Sequence, residues 1–353
     1  MNLFVPRIVM GADPEIFLSK NGKIIGSERV IPGGPLVGPA QSCNPSLSMG
    51  QVVRDGIQAE LHPAPTHCRQ ILAENTLELL KLLGTEAAKH GAKLDFSQTV
   101  TVTQKEINSL SEESRRLGCQ ESLNIHTPGR GLGIDPTKYQ VRSAGGHMHF
   151  DLTAVLDANG QRIDVLKFVP ILDILVGNTS ILLDDDPRAA ERRQVYGRAG
   201  EFRTPAYGLE YRTLSNFWLR SEMYLSLMFG LARQAIGLVY TDVRNGDDAN
   251  QKQLLKLIKL ENIIKAINEA DRDLALDNLK RLKKFFHGPF GERMKIYKTG
   301  LDAGNFDKFI KWTSKGRPQL DPDPGETFSR WSPPVWVGSR PGFESIFERM
   351  EIA

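Results

Sequence analysis

Cysteine is scarce in this chain of 353 residues: Cys43, Cys68 and Cys119 are widely spaced and odd in number. They form no CxxC pair. Neither a disulfide framework nor a cysteine zinc site is therefore expected, and a reducing, cytoplasmic setting is. The apolar runs read as too short and too interrupted to cross a bilayer. The N-terminal stretch "MNLFVPRIVMGADPE" lacks the basic segment and long apolar run of a signal peptide, so no membrane association is expected. Charge of one sign is missing as well. Forty-five Lys and Arg against 42 Asp and Glu leave +3, a balance that demands neither nucleic acid nor a membrane surface. The common nucleotide signatures are absent: "GGPLVGPA" (33–40) lacks the GK[ST] ending of a P-loop. "GRGLGIDPTK" (129–138) has no strand running into it and no helix leaving it. Both read as turns. There is no internal repeat and no low-complexity tract.

Apolar residues make up 40% of the chain and charged residues 25%, the composition of a globular protein with a sizeable core. "IVMGADPEIFLSKNGKIIG" predicts strand, turn and strand, with Asn21-Gly22 as the hairpin signal. A second strand region covers 52–63 with Asp55-Gly56 as its turn. A helix follows, capped by Thr66 and ended by Gly91. Further strands are expected near 98–103 and around His147, and helices over about 164–183 and 218–240. Residues 184–219 read as a charged loop and two strand-like pieces. Residues 251–286 read as one or two amphipathic helices, and the last 65 residues as loop with Trp312, Trp331 and Trp336. The fold class expected is α+β with a largely antiparallel sheet. The change in character after 241 suggests two domains, 1–241 and a helical, loop-rich extension over 242–353.

The chemistry sits in polar doublets at i, i+2, a spacing that puts both members on one face of a strand. They are Asp13/Glu15, Gln58/Glu60, His147/His149, Glu201/Arg203 and Glu210/Arg212. A solvated sheet face accounts for any one of them. It accounts less well for all five, because such faces favour Lys, Thr and Ser, whereas these are mostly carboxylates, histidines and arginines. Hard carboxylate oxygens suit Mg²⁺, and the arginine fork suits phosphate oxygens. The combination therefore points to a metal–nucleotide site. A zinc hydrolase built on the two histidines and a Glu is the rival, and it leaves the arginines unexplained. "DDDP" (184–187) reads as a solvated helix end, "KRLKK" (280–284) as a solvated face, and His62 and His67 as peripheral.

The order of these motifs resembles the glutamine synthetase and γ-glutamylcysteine synthetase superfamily of carboxylate–amine ligases. "GGHMHFD" is similar to its GMHxH strand, and "GLEYRTLSNFWL" to its ExR strand and following helix. Together with "GADPEIF" and "RRQVYGRAGEFR" they most resemble the branch found in tailed phages, the COOH·NH2 ligases of type 2, over about residues 8–235. The resemblance implies a curved antiparallel sheet forming a funnel that takes ATP with Mg²⁺ or Mn²⁺. It implies Asp13, Glu15, Glu60, His147 and Glu210 as metal ligands, and His147, His149, Arg203 and Arg212 as the nucleotide-binding set. Arg203, Arg212, Arg198 and Glu201 become the catalytic candidates, with Glu201 or Asp55 as base. The double glycine before His147 is expected to let phosphate approach the strand. The partners implied are a small-molecule or peptide carboxylate and an amine. A phage context would allow a nucleobase target and a host-cytoplasmic location, but no residue pattern indicates such a target. Asp13 stands where glutamine synthetase has Glu, and Gln58 where a further acid would fit. A catalytically silent relative that binds a nucleotide or partner is the alternative from another class.

Overall fold

In the computed structural model, residues 8–31, 33–41, 45–115, 122–128, 140–291, 301 and 303–316 are described. Among the described residues the fold is α+β, with antiparallel strand pairing in three open sheets. The first sheet runs in the order Val9–Ala12, Met148–Asp151, Gly208–Tyr211, Glu201–Arg203, Leu123–Asn124. The second is built around Glu15–Lys20, Gln58–Pro63 and Gly50–Asp55. The third is a short pair, Thr99–Thr101 with Val141–Ser143.

The first two sheets share the chain segment 9–20, which changes sheet at Asp13-Pro14. Pro14 has no N–H to give to a ladder, and the strand is interrupted there. Its carbonyl still accepts from Leu61 N–H at 3.0 Å, and Glu15 N–H donates to Gly145 at 2.9 Å. Residues before the proline thus pair with the His149 strand, and residues after it with the Glu60 strand. The corner places two acidic faces side by side. Asn21 and Gly22 both adopt positive φ, 52° and 71°, the backbone a tight hairpin requires.

Alternation buries the other side of these strands. Met10, Met148, Phe150, Leu209 and Tyr211 join one hydrophobic cluster with the helices behind the sheet. The helix Glu222–Asn245 is the centre of that layer, capped by Ser221 and ended by Gly246 at φ 71°. It is long and apolar enough to cross a membrane, contrary to the reading of the apolar runs, yet most of that apolar stretch is buried within the fold. The sequence boundary at 241/242 lies inside this helix. Leu254, Ile263, Phe285 and Phe309 from the following helices belong to the same buried cluster as Met10.

Several local expectations are corrected. The helix Arg69–Lys89 takes Cys68, not Thr66, as its N-cap, and the Thr66 hydroxyl accepts from Cys68 N–H instead. Residues 249–286 hold four helices, Ala249–Leu257, Leu260–Asn268, Arg272–Arg281 and Lys283–Phe286, because short turns reset the apolar stripe. Within the expected loop, Ala189–Val195 is helical. Asp184 and Asp186 of "DDDP" are buried rather than solvated, and Asp184 accepts from the Ser215 hydroxyl at 2.8 Å. The expected 164–183 helix forms as short pieces around a π turn at Asp173–Gly177. Trp312 lies in the helix Ala303–Ser314 and packs on the core. The "GRGLGIDPTK" segment (but for its neighbour at 140), Cys43, Cys119, Trp331 and Trp336 lie outside the described residues.

Candidate active site

Cross-strand register assembles the site. Gly11 is paired with His149, His149 with Glu210, and Glu210 with Arg203, so these four positions form one row across the first sheet. Neighbours directly opposite in a sheet share a face. Asp13 follows Gly11 on that face at the sheet corner. In the second sheet Glu15 is paired with Glu60. The two rows border one cleft of about 670 Å³, lined among others by Asp13, Asp55, Glu60, His62, His149, Arg203, Tyr207 and Glu210.

Two groups of potential metal ligands meet there. Asp13, His149 and Glu210 each bring a donor atom within 4.8 Å of the others, and so do Glu15, Asp55 and Glu60. The second group is all carboxylate. Glu15 is 2% exposed and accepts from Gly145 N–H at 2.7 Å and from the Gln58 amide at 2.8 Å. Burial, then Asp55 and Glu60, push its carboxyl well above the usual range. Burial, then Glu60 and Asp13, push Asp55 up to about 7. Burial also raises Glu60, although His62 at 2.6 Å opposes this. Packed acids that resist ionisation together are what a divalent cation relieves, and oxygen-rich donors suit Mg²⁺ or Mn²⁺. The donor set therefore fits such a metal.

The two histidines converge on a single carboxylate. His147 Nδ1 lies 3.0 Å from Asp13 Oδ1, and His149 Nε2 lies 3.1 Å from Asp13 Oδ2. Their environments differ. Burial pushes His147 down to about 4, so its ring is neutral near pH 7. Its Nε2 accepts from the Tyr196 hydroxyl, and its Nδ1 faces Asp13. Burial opposes the His149 imidazolium too, but Asp13 beside it raises its pKa. The remaining ring nitrogen of His149 meets the Tyr207 hydroxyl at 2.5 Å. Met148 between them is fully buried on the other face.

The arginines divide into three situations. Arg203 lines the cleft with its guanidinium 3.6 Å from Glu210. Arg212 is buried, pairs with Glu210, donates to the Tyr196 hydroxyl at 3.2 Å and lies over that ring. Arg198 turns to the end of the helix Ala189–Val195, donating to the carbonyls of Arg193 and Gln194 at 3.0 and 2.5 Å. It is not among the cleft residues, and neither is Glu201, whose carboxylate accepts from Gly197 N–H at 2.9 Å. The double glycine serves packing. A side chain at Gly145 would meet His147 and the Tyr196 hydroxyl, and one at Gly146 would meet the Ser215 carbonyl and Trp218, all under 3 Å.

His62, read from the sequence as peripheral, lines the cleft, and two tyrosines that the motifs did not single out stand at the site. His62 stands two residues from Glu60 on one strand, so the spacing that found the other doublets also marks it. Tyr196 and Tyr207 come from a helix end and a hairpin loop, where no periodicity identifies them.

Residues 133–285 match the model of the family described as phage phiEco32-like COOH.NH2 ligase-type 2. Among solved structures, the chain is similar to one described as a novel glutamine synthase homolog. The identity is 12%, covering 78% of this chain and 67% of that one with a TM-score of 0.32. No curated protein matches.

Proposed function

We propose that this chain, whose residues 133–285 carry the pattern of a carboxylate–amine ligase family, is an ATP-dependent carbon–nitrogen ligase forming an amide or peptide-like bond. The observation that carries the reading is the convergence of Asp13, Asp55, Glu60, His149, Arg203 and Glu210 on one cleft. Acids alone would repel a nucleoside triphosphate. Acids that hold divalent metal, with an arginine facing them, would bind one.

Asp13, Glu15, Glu60 and Glu210 are the residues proposed to hold metal, with Asp55 joining the Glu15 group. Bound there, Mg²⁺ or Mn²⁺ supplies charge neutralisation for the triphosphate. A carboxylate is a poor electrophile and needs activation before an amine attacks it. In the proposed sequence, a substrate carboxylate oxygen attacks the γ-phosphorus and the bond to ADP breaks, giving an acyl phosphate. The amine nitrogen then attacks the acyl carbon and phosphate leaves. Arg203, open to the cleft, faces the transferring group and offsets its charge. Arg212 acts from behind by fixing Glu210. His149 stands at the nucleotide side, and His147 holds Asp13 in place. Of the two acids considered as base, Glu201 lies outside the cleft and Asp55 is placed with the metal-holding group, so the proton acceptor is not assigned to either. Arg198 is assigned no contact with phosphate, because helix carbonyls hold its guanidinium.

The test is release of ADP and phosphate when the purified chain meets ATP, Mg²⁺ and mixed acids and amines. Turnover that requires an acid and an amine together supports the reading. Stoichiometric tightly bound zinc with hydrolytic activity, or no binding of Mg·ATP, would overturn it. Glu210→Gln keeps the shape of the side chain and removes its charge. It is expected to cost at least about a hundredfold in turnover with an unchanged circular dichroism spectrum.

A further inference from the structure

A second polar centre lies behind the cleft, on the opposite face of the Glu210 strand. Glu210 and Arg212 point to the cleft side, so Tyr211 between them points into the core, where it is fully buried. Its hydroxyl donates to Asp173 Oδ1 at 2.8 Å. The same oxygen accepts from Gly200 N–H at 3.1 Å, and Oδ2 meets His126 Nε2 at 2.8 Å. Asp173 is itself fully buried and opens the π turn Asp173–Gly177. Single π turns inside helices concentrate at functional sites.

The packing around this carboxylate is specific. A side chain at Gly177 would meet the Tyr211 hydroxyl at 2.6 Å, so the glycine is what admits the phenol. Gly200 has φ 78°, and a side chain there would meet His126 at 2.5 Å. One carboxylate thus ties together three segments, two of them arms of one hairpin. They are the strand carrying Glu210 and Arg212, the turn leading to Glu201 and Arg203, and the His126 segment beside the edge strand. The turn is also held by Asn268, which accepts from Ala199 N–H at 2.9 Å.

We infer that Asp173 is a positioning residue: through Tyr211 and Gly200 it fixes the Glu210–Arg212 pair and the turn before Arg203 against the cleft. It touches neither metal nor substrate. Partners that orient first ligands are worth large factors in affinity or rate although they touch nothing that reacts. The catalytic part of this inference rests on the ligase reading, and the structural part does not.

Three variants test it. Tyr211→Phe removes one hydroxyl and keeps the ring. Asp173→Asn keeps an acceptor at Oδ1, and Asp173→Ala removes the centre. Amide hydrogen exchange of residues 197–213 and Mn²⁺ binding followed by electron paramagnetic resonance need no turnover. Tyr211→Phe is expected to speed exchange over 197–213 and weaken Mn²⁺ binding at least tenfold. Turnover, where wild type shows it, should fall at least tenfold in kcat with little change in KM for ATP. Asp173→Asn should restore most of each quantity and Asp173→Ala should not. Wild-type exchange and wild-type Mn²⁺ affinity in folded Tyr211→Phe would overturn the inference. Failure of the ligase reading would instead appear as wild-type protein without turnover, with the exchange result still deciding the positioning role.

Discussion

The Gln58 amide donates to Glu15 at 2.8 Å and to the Ser143 carbonyl at the same distance, beside the acidic group Glu15–Asp55–Glu60. A neutral donor there does what another acid would not: it satisfies a buried carboxylate and a backbone carbonyl together. Gln58→Glu should therefore lower the stability of the metal-free protein by about 2 kcal/mol, through two lost bonds and a new like-charge contact. Adding Mg²⁺ or Mn²⁺ should narrow the difference. Thermal unfolding with and without metal measures both, and a variant as stable as wild type without metal would contradict the assignment.

Two groups of metal-ligand candidates, Asp13–His149–Glu210 and the mutually repelling acids Glu15–Asp55–Glu60, make the fold a sensor of divalent cations. Mg²⁺ or Mn²⁺ at about a hundredfold over its dissociation constant should raise the unfolding free energy by about 2.7 kcal/mol. Chelation should reverse the gain. In Glu60→Gln the shift should shrink, because one ligand of the Glu15–Asp55–Glu60 group loses its charge. Calorimetry at several metal concentrations would show it, and an unchanged melting temperature in wild type would count against the site.

Gly146 has no room for a methyl group, since a Cβ would lie 2.3 Å from the Ser215 carbonyl oxygen and 2.5 Å from Trp218 Nε1. Trp218 donates to the Gly146 carbonyl at 3.1 Å. Gly146→Ala should cost about 1–3 kcal/mol by overpacking and lower the urea midpoint with the m-value unchanged. Gly33→Ala, which meets nothing within 4 Å, is the control.

Glu28 gives a pH dependence away from the cleft. Its slight burial would raise the carboxyl, but bonds from Ser111 and Ser114 outweigh this and hold it below its ordinary value. The folded pKa is thus below the unfolded one. The stability it contributes is present above the unfolded value, about 4.3, and is lost as pH falls through the folded value. In Glu28→Gln that dependence should disappear, so the gap between wild type and variant should close as pH drops from about 6 to about 3. Urea unfolding at several pH values tests this, and a gap that widens on acidification would refute it.

How much of this was legible beforehand follows from the range of each interaction. Alternation along a strand is local, so the sequence already placed Glu210 with Arg212, and His147 with His149, on common faces. It also marked Asn21-Gly22 as a turn, because only a few residue types accept that backbone. The same locality misled where one pattern fits two outcomes. Residues 184–219 read as a charged loop and two strand-like pieces, but within that loop a helix end forms whose carbonyls take Arg198 away from the cleft.

Sequence alone sets which side chains can share a face and which backs of the strands are apolar, and residues 133–285 match the model of a COOH.NH2 ligase family. Tertiary structure decided which faces meet. Register between strands far apart in the chain put Gly11, His149, Glu210 and Arg203 in one row, and the break at Pro14 brought the Glu15–Glu60 row beside it. It also decided that His147 lies between Asp13 and Tyr196, and that Asp173 stands behind Tyr211. Those roles depend on burial and on partners brought from distant segments, and neither leaves a periodic trace in the chain.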